Sequence, residues 1–366
     1  MHYRQFQEDT TMAVIENKIM QQYENFWERK NKDRPVLNLS YNKEGAKRFR
    51  APVSLEEKRL DANYIYDAYK HKIAQTGYLA EGVAMQFTNL GAGCLAACIG
   101  GDFTITDRTI WFDQDPIIKD WENPPKLEFN EQSKIWQTVL SIQNKFSQDP
   151  TAHFSITDLG GILDIVASLR GTNDLLYDLF DYPDEVIECC QKVKELWFKA
   201  YDKQLEIVKS ANQPYNNWMN IPSLKPWYPL QCDFCYMISP EHFRQFALQD
   251  LIDQVNYMER SIYHLDGCGE LVHVDALLDI PNLTGIQWIV SPTDEPLYNE
   301  KWFDLYKKIQ DKKKNIVLLN ALKENDLAEA EKFFKTVDPT GVYIQAHCSS
   351  KEKAENMLET ICRWCE

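Results

Sequence analysis

Apolar positions along the chain alternate between short continuous runs and stretches where they recur at helical spacing, the pattern of buried strands followed by amphipathic helices. Val14, Ile15, Ile19, Met20, Tyr23 and Phe26 predict a helix from Thr11 to about Lys30. Strands are expected to begin at Pro35, Gly82, His153, Tyr215, Ser261, Gly285, Asn315 and Gly341. The helices between them carry start signals. Ser54-Leu-Glu-Glu57 is a capping box for a helix to about Ala74, and Ser239-Pro240 places an N-cap and a first-turn proline ahead of another. Further helices are predicted for Asn299 to Asp311, Glu324 to Val337 and Ser350 to Cys365. Between Gly91 and Thr151, about 60 residues interrupt the pattern with a small strand pair and a helical run from Glu131 to Phe146, too little for a core of its own. The segment from Leu224 to Ile238, rich in proline and aromatic residues, reads as a loop.

Eight strands, each followed by helix or long loop, is the number of a (β/α)8 TIM barrel. A doubly wound open sheet would carry a glycine-rich phosphate fingerprint after its first strand, and Leu37-Asn-Leu-Ser-Tyr41 has none. The expected fold class is therefore α/β: a TIM barrel over residues 35–366, an N-terminal helical extension over 1–34, and an elaborated loop after strand 2.

Charge removes some functions. A net charge of −15 across 366 residues argues against nucleic acid, which demands a basic footprint. No apolar run approaches a membrane span, and the polar beginning of the chain does not read as a signal peptide, so a cytoplasmic protein is expected. There, ten cysteines point to metal or thiol chemistry more than to disulfides. Cys189, Cys190, Cys362 and Cys365 fall in helical runs, where packing is the default role.

In a barrel, strand C-termini meet at one rim. The stretch Ser261-Ile-Tyr-His264-Leu-Asp266-Gly-Cys268-Gly269 puts His264 and Asp266 on one face of an extended backbone, although such residues also simply cap helices. The other polar strand ends are Tyr41, Asn89, Asp158, Asn220, Gln287, Asn320, His347 and Cys348. A zinc ion takes about four Cys, His or carboxylate ligands, and His264, Asp266, Cys268 and Cys348 are the candidates. Cys232-Asp-Phe-Cys235 has the CxxC spacing, but its only partner motif is Cys362-Arg-Trp-Cys365 at the end of the last helix, a pairing read as coincidence.

The order of elements, with Asp158-Leu-Gly-Gly161, Leu169-Arg-Gly171, Ile238-Ser-Pro-Glu-His-Phe243, Tyr263-His-Leu-Asp-Gly267 and Tyr343-Ile-Gln-Ala-His-Cys348, resembles the uroporphyrinogen decarboxylase superfamily, which includes zinc-dependent, cobalamin-linked methyltransferases. The resemblance runs from about Pro35 to the C-terminus and implies a (β/α)8 barrel. Against the decarboxylases, the early arginine loop is matched by Asn38-Leu-Ser-Tyr41-Asn-Lys without arginine, and their pyrrole-binding aspartate by Asn89, while His347 matches their late histidine. Against the methyltransferases, His264 matches the zinc histidine, Asp266 stands where a cysteine would be, and Cys348 falls near the second cysteine.

The resemblance thus implies zinc-assisted methyl transfer linked to a corrinoid or a thiol acceptor. His264, Asp266 and His347 would be catalytic, with Tyr41, Asn89, Asp158, Asn220, Gln287 and Asn320 binding substrate. A decarboxylase-type lyase acting on a tetrapyrrole or other acid, and a non-catalytic corrinoid- or porphyrin-binding protein, are the alternatives. The expected partners are a small-molecule substrate, a corrinoid protein and a second copy of the chain.

Overall fold

The computed structural model describes residues 15–112 and 115–366. The part of the first predicted helix that precedes Ile15 lies outside them. Seven strands form one sheet: β1 (Val36–Asn42), β2 (Thr76–Ala80), β5 (Trp227–Leu230), β6 (Arg260–Asp266), β7 (Gly285–Ile289), β8 (Asn315–Leu322) and β9 (Val342–Cys348), in the order β2-β1-β9-β8-β7-β6-β5. Only the β1–β2 pair is antiparallel. A separate ribbon joins β3 (Thr104–Ile105) and β4 (Ile110–Trp111) inside the long insertion, where the sequence placed a small strand pair. The architecture is mixed α/β with a mostly parallel sheet.

Three expected strands do not enter this ladder as regular strands. The Gly82 segment and the His153 segment touch through a single parallel bridge, Gln86 with Phe154. The second edge of β1 is already occupied by β2, which runs back from the preceding helix (Ala62–Gln75). The Tyr215 segment bridges only to Ser223, antiparallel, and its Met219 and Ile221 fill apolar space instead. The strand beside β6 is Trp227–Leu230, within the segment read as a loop. Proline is tolerated at a strand edge, and here Trp227, Tyr228 and Leu230 are all buried.

Alternation along the strands sorts residues onto two faces. Leu37, Leu39, Tyr263, Leu265, Ile344, Ala346 and Cys348 face outward into the main core under the helices. Val36, Ile262, Val317 and Tyr343 face inward. The inward residues close on the N-terminal helix (Asn17–Trp27), whose Met20, Tyr23, Phe26 and Trp27 are buried at one face. Each such aromatic contributes roughly 1.5–3 kcal/mol by leaving water. Glu24 anchors this plug: its carboxylate takes Arg260 at 2.6 and 2.8 Å and the Leu224 N–H at 3.0 Å. Among the described residues no helix is long and apolar enough to cross a membrane.

Candidate active site

On the inner face of β6, Ile262 belongs to the plug, His264 lies above it, and Asp266 reaches solvent at the strand end. Gly267, with φ +86°, lets the chain turn immediately into a 3-10 helix (Cys268–His273). A Cβ on Gly269 would meet the Tyr236 ring at 2.4 Å, so glycine there lets the turn after β5 lie against the turn after β6. That first turn, a 3-10 helix over Asp233–Met237, is pinned by Asp164, whose carboxylate accepts the N–H groups of Asp233 (3.1 Å) and Phe234 (2.7 Å).

The two turns bring Asp233, His264 and Asp266 together, with one ligand atom from each lying within 4.8 Å of the others. Gln287, the register partner of His264 on β7, meets His264 Nδ1 through Oε1 at 2.6 Å. Trp218 stands edge-on to the imidazole with ring centroids 5.0 Å apart. Asp158 completes the floor. Its Oδ1 accepts the Gly160 N–H at 2.8 Å and the Tyr228 hydroxyl at 3.2 Å, and it lies near enough to His264 to feel its charge.

Carboxyls crowd this end. Among the described residues, Asp158, Asp164, Asp233, Asp266 and Glu270 have no lysine, arginine or histidine nitrogen within 4.0 Å. Burial, then the neighbouring Asp266 and Asp158, push Asp233 up to about 7, although solvent enters the cleft and reaches its side chain. Burial first, then Cys235 and Asp233, raise Glu270 to about 10, and burial raises Asp158. Such a set either holds protons or holds a cation. Two carboxylates and an imidazole suit a divalent transition metal, with coordination positions left for substrate or water.

Around the C-terminal ends of β1 and β9 the charge is reversed. A cleft of about 920 Å³ is lined by Lys43, Lys47 and Arg48 from the loop after β1, by His71 and Lys72 from the helix Ala62–Gln75, and by His347 from β9. No aspartate or glutamate lines it. Among the described residues none of these lysines or Arg48 has a carboxylate within 4.0 Å. His347 Nδ1 meets Ser40 Oγ at 2.9 Å, and burial, then the Lys72 charge, hold its pKa below the ordinary histidine value. In a chain of net charge −15, cations gathered in one cleft without carboxylates give it a local positive potential.

The residues singled out from sequence separate accordingly. His264, Asp266, Gln287 and Asp158 gather at the carboxyl-rich end. Asn220, Asn320 and His347 line the basic cleft. Tyr41 faces outward and packs on the helix-side core. Asn89 is exposed and closes a turn by accepting the Gly91 N–H at 3.1 Å. The two candidate cysteine ligands are not brought to His264. Cys348 is fully buried on the outer face with Ile344 and Ala346, and Cys268 turns its thiol to Asp294 Oδ2 at 3.6 Å. Asp233 stands in their place. It was missed because its meeting with His264 depends on two loop turns, and its only local mark was its position inside the Cys232–Cys235 motif. The basic residues were missed because Arg48 and Lys72 are separated by a whole helix.

No protein-family model matches the chain, and no curated protein matches its sequence. Among solved structures, a methyltransferase from Methanosarcina mazei is similar in fold, with a TM-score of 0.60 and 11% sequence identity over 94% of this chain and 98% of that one. At that identity the likeness speaks for the fold.

Proposed function

We propose that this chain is a metal-assisted methyl-transfer enzyme acting on an anionic small molecule. The observation that carries the reading is the convergence of Asp233, His264 and Asp266 at an opening crowded with carboxyls that lack basic partners. The fold likeness to a methyltransferase supports the reaction class. The ring of β1, segment 82–89, segment 153–158 and β5 to β9 is read as a (β/α)8 barrel over 35–366, with 1–34 as a helical extension whose helix plugs the lower end.

Asp233, His264 and Asp266 would hold zinc, which supplies a Lewis acid that lowers the pKa of a bound acceptor and makes it nucleophilic. Gln287 fixes the His264 ring. If Gln287 Oε1 accepts from Nδ1–H, Nε2 keeps its lone pair for the metal. Asp158, whose pKa burial raises, lies close to His264 and helps position the substrate. Lys43, Lys47, Arg48 and Lys72 hold the anionic part of the substrate, which orients the molecule between two patches of opposite charge at the strand C-termini. A corrinoid, free or on a partner protein, is the proposed methyl donor or acceptor. A cytoplasmic location and a homodimer complete the reading.

Metal analysis of the purified protein, with His264→Ala and Asp233→Asn beside it, tests this. One equivalent of zinc, lost in both variants, is expected; no metal above background in the intact chain defeats it. The basic cleft also favours a second reading, a lyase that decarboxylates an acid gripped by Arg48 and Lys72. Carbon dioxide release without methyl transfer would select the lyase. Tight cobamide binding with neither activity would leave a binding protein.

A further inference from the structure

Behind Asp233 lies a group of side chains that the proposed reaction does not use. Cys232 and Cys235 flank the ligand, both thiols are free and both are buried, at 2% and 0% exposure. The Cys235 N–H donates to the Cys232 carbonyl at 2.9 Å, which folds the four residues into one turn that carries both cysteines. Cys235 Sγ lies 3.6 Å from the Tyr263 hydroxyl, which donates to Glu270 Oε2 at 3.3 Å. His273 Nε2 meets the Cys235 carbonyl at 2.9 Å. Glu270 Oε1 and His273 Nδ1, both buried, have no partner. Polar groups left over beside two buried thiols of one turn are unusual in a purely structural core.

We infer that Cys232 and Cys235 are a reversible dithiol–disulfide pair that sets the position of Asp233 in the candidate metal site. The consequence for the metal rests on the function proposed above; the cysteine pair itself does not. A disulfide needs sulfurs about 2.05 Å apart with Cβ atoms about 3.5–4.5 Å apart, a separation within reach of two cysteines three positions apart in a turn closed by the 2.9 Å bond between their backbones. Because both sulfurs are enclosed, the oxidant must be small, and a peroxide fits that requirement. Cys235 sulfur attacks one peroxide oxygen, the O–O bond breaks, and hydroxide leaves with the thiol proton as water. The resulting sulfenic acid then condenses with the Cys232 thiol: the S–S bond forms, the S–O bond breaks, and a second water carries off the Cys232 proton. An external dithiol reverses the process by exchange.

Asp233 is adjacent to one sulfur and two residues from the other, so contracting the turn moves it relative to His264 and Asp266, which sit on a separate strand. Oxidation also removes the thiol that the Tyr263 hydroxyl faces. The other CxxC pair, Cys362 and Cys365, lies within a continuous helix (Lys351–Cys365) far along the chain and flanks no candidate ligand. Disulfides in reducing compartments are characteristically transient and sensory, which is the use assigned here.

The test treats the full-length protein with stoichiometric hydrogen peroxide, denatures and alkylates it, and maps peptides by mass spectrometry. Cobalt(II) titrations follow on the reduced and oxidised forms. The expected result is a loss of two hydrogens confined to the peptide holding Cys232 and Cys235, reversed by dithiothreitol. Cobalt affinity should fall at least about tenfold in the oxidised form, a change of about 1.4 kcal/mol. Cys232→Ser and Cys235→Ser should each abolish both effects while keeping the affinity of the reduced form. Bridging of other cysteines, or no bridge before the fold is lost, overturns the pair. A bridge that leaves cobalt affinity unchanged overturns its control of Asp233. If the reduced protein binds no cobalt, the metal reading of the function falls, and the peptide map alone decides the pair.

Discussion

Gln287 Oε1 lies 2.6 Å from Nδ1 of His264, on the neighbouring strand and in direct register with it. One hydrogen bond thereby settles both the tilt of the imidazole and which ring nitrogen is occupied. Outer partners of this kind typically matter about ten- to a hundredfold in metal affinity. Gln287→Leu, which keeps the volume and removes the acceptor, should weaken zinc binding by about that range in a competition titration. Gln287→Glu should restore or exceed the native affinity. Equal affinities in all three proteins would mean that His264 does not ligate through the free nitrogen.

Asp233 and Cys348 make opposite predictions. Asp233→Asn removes a charge from the group that converges on His264, and zinc affinity should fall by more than about a hundredfold. Cys348→Ala deletes a buried thiol on the helix side of the sheet. It should leave zinc affinity unchanged and cost about 1 kcal/mol in chemical denaturation. Loss of metal from the Cys348 variant would overturn the assignment of faces.

The same alternation that revealed part of the site from sequence also corrects one residue that its place at a strand end had put at the site. Tyr263-His-Leu-Asp266 reads as outward, inward, outward, inward, and that is the arrangement found. Applied to Ile344-Gln-Ala-His-Cys348, the identical rule puts Cys348 with the apolar Ile344 and Ala346, away from His264. The parallel strands were legible because they are runs of buried aliphatic residues. β5 was hidden by Pro229 and by aromatic residues that suit a loop as well as a strand. β2 follows its helix directly at Gln75–Thr76, so no turn signal separates them. Asp233 and the basic cleft were not legible, because loop turns and a packed helix bring their members together.

The plug can be tested apart from the chemistry. Arg260 and Glu24 are almost enclosed, with side-chain exposures of 7% and 13%, and the guanidinium also lies over the Trp27 ring. Removing one member of such a pair strands the other charge at a cost of about 3–5 kcal/mol, whereas replacing both with apolar side chains costs far less. Arg260→Met should therefore lower the urea midpoint markedly, and the double variant Glu24→Leu/Arg260→Met should recover most of the loss. A double variant as unstable as the single one would mean that the hydrogen bonds to Ser223 and Leu224, not the ion pair, seat the helix.

In the basic cleft, the depressed pKa of His347 makes a prediction of definite sign. Burial and the Lys72 charge both favour the neutral ring, while Glu324 opposes them. At neutral pH the cleft therefore binds anions through its lysines and Arg48. As pH falls through the lowered His347 pKa, the ring gains a proton and adds one more cation, so affinity for sulfate, whose own charge is constant in this range, should rise toward acid. Lys72→Ala removes one cation and should weaken sulfate binding at neutral pH by about tenfold, or about 1.4 kcal/mol. It also relieves the repulsion on His347, so the inflection should move to higher pH without fully reaching the ordinary histidine value, because burial persists. His347→Gln should abolish the inflection and leave the neutral-pH affinity nearly intact. A sulfate titration repeated across pH on the three proteins measures all of this, and an inflection that stays put when Lys72 is removed would show that the two side chains do not share one electrostatic site.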